Sequence, residues 1–349
     1  MERRSTVPVW LSLVCLLVSA LMAPVLAQGP AVDATAHVPA VGSDARELSD
    51  GDIVDARPRP APPAYESLDA FGKNYFPRAL YDEVRAQADV DVLDITYRSD
   101  GLDVPGVLLQ PKNRLGRKWP GIVYNRGGTG DYGRLDTVQV VELYLLARAG
   151  FVVVASDYRF HGATARRDEW GGGDLTDVLN VTKTLASIDF VDRDRLFMMG
   201  LSRGGFMTYL ALKHGVAVRA AAVIAAPSDL EAVGKYRPEF VHGDESYAGW
   251  ASVWPDYATQ AAEHFRSRSA VHWAEAITVP VLILHSARDR LLPVSHALRM
   301  AEALQTAGRT FELHIYSNDG HSLPVNRLDR NRQIVEWFER APARGTKDD

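Results

Sequence analysis

The 349-residue chain has a single cysteine, Cys15, and it lies inside an N-terminal apolar run. The rest of the chain can form no disulfide, offers no thiol nucleophile and has no cysteine metal site. An H-E-x-x-H helix and any other cluster of metal ligands are also missing, so no catalytic metal and no cofactor are expected. No G-K-[ST] phosphate loop occurs. Charge of one sign is not in excess: the formal net charge is −5. That balance gives no reason to expect nucleic acid or an anionic membrane as a partner. Beyond the N-terminal run, no stretch is apolar enough to span a bilayer.

That run is the first positive signal. Glu2, Arg3 and Arg4 form a charged start, residues 7–26 are apolar, and Val25-Leu26-Ala27 offers a small-residue cleavage site. Residues 1–27 read as a secretory signal peptide, giving a secreted or periplasmic protein with no stable membrane partner after cleavage. The alternative is an uncleaved anchor, because the run is nearly long enough to cross a membrane. Residues 28–66 are rich in Ala, Pro and Asp without an apolar period, which predicts a disordered linker. A single domain over 67–343 and a polar tail over 344–349 complete the expected organisation.

Within that domain, apolar strands alternate with amphipathic helices. A hairpin is predicted over 92–111, turning at Asp100-Gly101. Buried strands follow at 121–124, 151–156, 196–199, 220–226, 279–285 and 311–316. Helices are predicted over 137–149, from an Asp174 cap to Ile188, and over 203–214, 294–307 and 326–340. This pattern predicts an α/β fold, a mostly parallel sheet with helices on both faces. In such sheets ligands bind beyond the carboxyl ends of the strands. Residues 228–274 interrupt the alternation as a helical insertion or cap. They carry Tyr236, Phe240, Tyr247, Trp250, Trp254, Tyr257, Phe265 and Trp273, nearly twice the 9% aromatic content of the whole chain. Two readings stand side by side: a cap in which Trp250 and Trp254 bind substrate, or an extra layer packing its own core.

Gly200-Leu201-Ser202-Arg203-Gly204 is a G-x-S-x-G sequence directly after a predicted strand and before a predicted helix. A nucleophile elbow needs that placement: flanking glycines permit the sharp turn, and the helix N-terminus faces the developing negative charge. A serine hydroxyl needs a base. Of ten histidines, His321 in Asp319-Gly320-His321-Ser322 follows the last strand and shares the edge with Ser202. His285 ends a strand and could line the site, but its chain order is wrong for the base. Asp289 follows the strand ending at His285 and is the expected acid, with Asp229 as rival. The order Ser202, Asp289, His321 is that of α/β-hydrolases. The amide of Arg203 is the expected first oxyanion donor, and Gly128 in Arg126-Gly127-Gly128-Thr129 the second.

With these residues placed, the chain from about 91 to 340 resembles the catalytic domain of the prolyl oligopeptidase family of serine peptidases. The resemblance rests on residues 95–102, Asp157-Tyr158-Arg159, Gly172-Gly173-Asp174, Gly200-Leu201-Ser202-Arg203-Gly204-Gly205, the 279–285 strand leading to Asp289, and Asp319-Gly320-His321-Ser322. It implies an α/β-hydrolase fold and cleavage of short peptides or aminoacyl amides through an acyl-enzyme. Two departures bring a carboxylesterase acting on small or carbohydrate-linked esters closer. The stretch before the domain is too short for the β-propeller that family members often carry. Arg126 also stands where the family often has His in a His-Gly-Gly-Pro oxyanion loop.

Overall fold

The computed structural model describes residues 47–342 apart from 115, 160–167 and 244–248. The expected signal peptide, the first part of the expected linker and the polar tail lie outside the described residues.

The chain enters the sheet earlier than its composition suggests. Strand β1 (Ile53–Pro58) lies within the stretch predicted to be a disordered linker, and a short 3-10 turn follows at Tyr65–Ser67. β1 pairs antiparallel with β2 (Val90–Ser99), and the Gly51 amide donates to the Arg98 carbonyl at 2.9 Å. Local composition missed this because an edge strand needs few apolar residues: only Ile53 of β1 is fully buried. Between these strands come α1 (Ala70–Tyr75) and α2 (Arg78–Ala86), both absent from the sequence reading. α2 is short and packs only Tyr81 and Val84 inward.

β2 and β3 (Leu102–Pro111) form the expected hairpin. Its turn residues take positive φ, 49° at Asp100 and 72° at Gly101, the geometry that matches strand twist across a two-residue loop. β4 (Trp119–Asn125) is buried along its whole length. α3 (Thr137–Arg148) starts where the Asp136 carboxylate accepts the Val138 amide at 2.8 Å. β5 (Val152–Ser156), α4 (Gly173–Ser187), β6 (Val191–Leu201), α5 (Arg203–Lys213) and β7 (Ala220–Ile224) continue the alternation. The insertion holds α6 (Leu230–Tyr236), α7 (Glu239–His242), α8 (Trp250–Val253) and α9 (Tyr257–Arg268). β8 (Val281–Ser286), α10 (Ser295–Thr306), β9 (Phe311–Tyr316) and α11 (Arg327–Arg340) complete the order.

The result is a nine-stranded sheet in the order β1-β2-β3-β5-β4-β6-β7-β8-β9. Pairs from β5 to β9 along this order are parallel, and those from β1 to β5 antiparallel. Alternate strand residues feed two cores. Ile122 and Tyr124 join α2, α3 and α11 on one face, while Val123 joins α4, α5, α10 and the insertion on the other. Both faces being covered explains why these strands read as continuous apolar runs. The chain steps from β4 to β5 on one side and then to β6 on the other. β4 therefore marks the switch in direction where α/β sheets open a crevice at the carboxyl edge. The fold is the mostly parallel α/β sheet with helices on both faces that the sequence predicts.

Candidate active site

The carboxyl end of β6 turns at Ser202 with φ 55° and ψ −123°, a conformation that side chains other than glycine rarely adopt. Such a residue costs about 1–3 kcal/mol and persists only where the surroundings hold it. Here the Ser202 amide donates to the Ile224 carbonyl of β7 at 2.8 Å, and the Ser202 carbonyl accepts from Gly205 at 2.9 Å. The glycines around it are required by close approach. A Cβ on Gly200 would lie 2.1 Å from the Gly204 carbonyl oxygen, and one on Gly204 would lie 1.8 Å from that of Asn125.

His321 sits in the loop between β9 and α11. Asp319 shapes that loop: one carboxylate oxygen takes the Gly320 amide at 2.7 Å, the other the Asn326 amide at 2.9 Å. Arg330 anchors the other side by donating to the Ser322 carbonyl at 2.6 Å. His321 Nδ1 lies 2.7 Å from Asp289 Oδ2, which leaves its Nε2 for another partner. The Asp289 side chain is fully buried, whereas that of His321 is 19% exposed. Asp289 Oδ1 accepts the amides of Leu291 at 2.8 Å and Leu292 at 2.9 Å. Burial alone would raise the Asp289 pKa, but hydrogen bonds from His285, His321 and the Leu292 amide outweigh it. The carboxyl is held well below the usual carboxylate range, so it stays ionised beside the imidazole.

Asp229 does not share this arrangement. It caps α6 by accepting the Ala232 amide at 3.0 Å and pairs with Arg299 at 3.0 Å. His285 was placed near the site by sequence, and the structure gives it a supporting contact. Its Nε2 stands 2.9 Å from the Leu292 carbonyl and 3.3 Å from Asp289 Oδ2, fully buried. The Leu292 carbonyl accepts a proton only, so Nε2 must carry the hydrogen.

The amide N–H groups of Arg203 and Gly127 have no acceptor among the described residues. Gly127 rather than Gly128 faces the serine: a Cβ there would lie 3.4 Å from Ser202 Cβ. Gly128 instead abuts Tyr132, where its φ of 74° lets the loop fold back. The Gly128 amide is likewise without an acceptor among the described residues, but Gly127 is the glycine that approaches Ser202 more closely, because the turn at 128 carries the chain away. Gly128, Gly130 and Gly133 also have the G-x-G-x-x-G spacing of a phosphate loop. Their structure speaks against that use, since the Asp168 carboxylate already occupies the Gly130 amide and would repel a phosphate.

The sequence does not reveal that the side chains of Arg203, Asp168, Asp174 and Arg126 meet beneath the elbow. Arg203, fully buried, donates to Asp168 at 3.0 Å and to Asp174 at 2.5 Å. Burial disfavours its charge, but the two carboxylates outweigh that and raise its pKa above the ordinary value. Asp174, expected as the cap of α4, sits in its first turn, and Gly172 is the N-cap. Arg126 is equally buried and spends its donors on loop carbonyls. A charged residue next to the motif serine was a signal, but its partners are distant in sequence.

Trp250 and Trp254 do not form a substrate wall. They are 0% and 3% exposed. Their rings stack 5.1 Å apart at an interplanar angle of 4°, and Trp170, Phe240 and Phe265 close around Trp250. Trp254 also donates its indole N–H to the Glu169 carbonyl at 2.7 Å. Trp250, Trp254, Phe240 and Phe265 thus form a packed cluster, because rings of this size bury most area against one another, whereas Tyr236 stays half exposed.

A model of the prolyl oligopeptidase family matches residues 137–343. The uncharacterized peptidase YtmA of Bacillus subtilis is 25% identical over 252 residues, spanning 72% of this chain and 94% of its own length. Dipeptidyl-peptidase 5 of Porphyromonas gingivalis is 26% identical over 248 residues, 67% of this chain but 35% of its own length. A solved acylaminoacyl peptidase of Pyrococcus horikoshii is similar in fold, with a TM-score of 0.61 at 23% identity, over 76% of this chain and 44% of that one. The chain thus spans nearly all of one relative and well under half of the longer ones.

Proposed function

We propose, from the premise that this chain belongs to the prolyl oligopeptidase family of serine hydrolases, that Ser202 is its nucleophile and short peptides or aminoacyl amides its substrates. The observation that carries the reading is the 2.7 Å contact between His321 Nδ1 and a buried, ionised Asp289, on the same sheet edge as the turn at Ser202. Ser202 Oγ attacks the scissile carbonyl as His321 Nε2 takes its proton. Asp289 fixes the tautomer and stabilises the imidazolium. The amides of Arg203 and Gly127 receive the oxyanion. The imidazolium then gives its proton to the departing amine, and water releases the acyl group by the same steps in reverse.

Exposed apolar side chains stand on the loops that follow the parallel strands: Tyr132 at 81%, Leu291 at 49% and Val325 at 77% exposure. They are better placed than the buried tryptophans to hold an apolar substrate side chain. The N-terminal apolar run supports export of the enzyme. The burial of Trp250 and Trp254 favours a second reading. A peptide needs a cleft on both sides of the scissile bond, a small ester does not, and the expected aromatic wall is not at the surface.

The test has two stages. A fluorophosphonate should label Ser202 stoichiometrically. Comparing kcat/KM on aminoacyl anilides and short-chain aryl esters then sorts the substrate class. Anilide cleavage supports the peptidase reading, while ester turnover without anilide cleavage across a panel of side chains would move the assignment to carboxylesterase.

A further inference from the structure

The loop from 126 to 135 carries the proposed second oxyanion donor, and it is held from beneath by buried charged side chains. Arg126 Nη1 donates to the carbonyls of Gly127 and Tyr132, each at 3.1 Å. Its Nη2 donates to those of Gly130 and Asp157, each at 2.9 Å. Asp157 accepts the Leu135 amide at 2.9 Å, and Asp168 accepts the Gly130 amide. Arg203 completes the set, with Nη1 donating to the Gly128 carbonyl at 3.1 Å while Nη2 rests on Asp168 and Asp174. Between the two guanidiniums lies the ring of Tyr158, 5.1 Å from Arg126 and 4.9 Å from Arg203.

The direction of these contacts matters. In a trans peptide the C=O of one residue and the N–H of the next point opposite ways. No cis bond occurs among the described residues. The Tyr158 hydroxyl donates to the Arg126 carbonyl at 3.2 Å and so turns the Gly127 N–H away from the interior. Arg203 grips the next carbonyl but one. A loop of three glycines within six residues has little stiffness of its own, so its course depends on these grips.

We infer that Arg203 serves the oxyanion hole twice: its amide is one donor, and its guanidinium is a positioning group that, with Arg126 and Tyr158, holds the 126–130 stretch carrying the other donor in place. The inference rests on the reading of Ser202 as nucleophile. It also gives a reason for arginine at the position after the serine. Arginine's planar fork reaches the Gly128 carbonyl and the carboxylates of Asp168 and Asp174 at once, which a lysine ammonium cannot do.

Side-chain replacement leaves the Arg203 amide in place, so the positioning role can be measured by itself. Arg203→Met and Arg203→Lys would be compared on an aryl ester, with Arg114→Met as the control. Arg114 pairs with Asp91 at 2.8 Å at the opposite edge of the sheet, and its loss tests plain destabilisation. Arg203→Met should lower kcat about 100-fold, the scale of losing one oxyanion donor, with KM changed less than about threefold. Affinity for phenylboronic acid, which forms a tetrahedral adduct on the serine oxygen, should fall by a similar factor. The acid limb of the pH profile should not move, since His321 and Asp289 are untouched. Arg203→Lys should fold, keep the carboxylates paired and still lose most of the rate. If Arg203→Met fails to fold, that lysine variant decides. Normal kcat in a folded Arg203 variant, a loss confined to KM, or an equal loss in Arg114→Met would overturn the inference. A fully active Ser202→Ala protein would instead overturn the reading of the site on which it depends.

Discussion

Two regions of this molecule are dense in residues that invite a functional reading, the carboxyl edge of the sheet and the aromatic insertion over 228–274. At the edge, Ser202 is held in a strained turn, His321 is partly exposed, and the charges beneath them are buried but paired. In the insertion, Trp250 and Trp254 are buried against each other and their neighbours. The difference teaches that residue type alone does not mark a site. At the edge, strain, partial exposure and directed hydrogen bonds converge on Ser202, His321 and Asp289. The insertion shows the opposite set, with large area buried and its orientation set by packing.

The sharpest way to break the comparison is Ser202→Ala. It should lower kcat by about 10⁴-fold or more without moving the melting temperature, as loss of a triad member does elsewhere. Unchanged turnover would leave the edge no more functional than the insertion. Next, Asp289→Asn should cost about 10³- to 10⁴-fold in kcat, whereas Asp229→Asn, which keeps a capping oxygen for Ala232 and loses only the charge of a half-exposed ion pair, should leave the rate unchanged and cost at most about 1 kcal/mol of stability. The reverse result would transfer the acid role to Asp229. Trp250→Ala should destabilise the protein by about 3–5 kcal/mol in denaturant melts, with KM unchanged in the folded enzyme. A raised KM without lost stability would restore the insertion as a binding surface.

The smallest effect separates stability from activity by pH. Burial lowers the His296 pKa from 6.5 to about 4, so the folded protein binds that proton more weakly than the unfolded chain does. Stability should therefore fall as pH drops from about 6.5 to about 4, by about 3 kcal/mol from this residue. His296→Gln should flatten that part of a melting curve measured against pH. Asp289 acts below this window. Its carboxyl is depressed, so its contribution is present above the ordinary carboxylate pKa and is lost only as pH falls through the lower folded value. His296→Gln should leave the pH profile of activity unchanged, because His296 takes no part in the proposed proton transfers.

What the sequence determined by itself is local. Continuous apolar runs predicted β4 through β8, since a strand covered on both faces has no polar side to show. Asp100-Gly101 predicted the hairpin, because that pair tolerates the positive φ a two-residue turn requires. The spacing of Gly200, Ser202 and Gly204 between a strand and a helix marked the elbow, and chain order placed Asp289 and His321 after the right strands. Only the tertiary structure decided what depends on partners far apart in sequence. β1 exists because β2 offers it an edge, not because Ile53–Pro58 is apolar. Gly127 rather than Gly128 faces Ser202 because the chain folds back at 128. Trp250 and Trp254 are core because Trp170, from a different loop, meets them. Arg203 is a clamp because α4 brings Asp174, and the loop before it Asp168, to the underside of the elbow. Propensity and pattern act over a few residues, whereas access and pairing are set only once the sheet has brought its edges together.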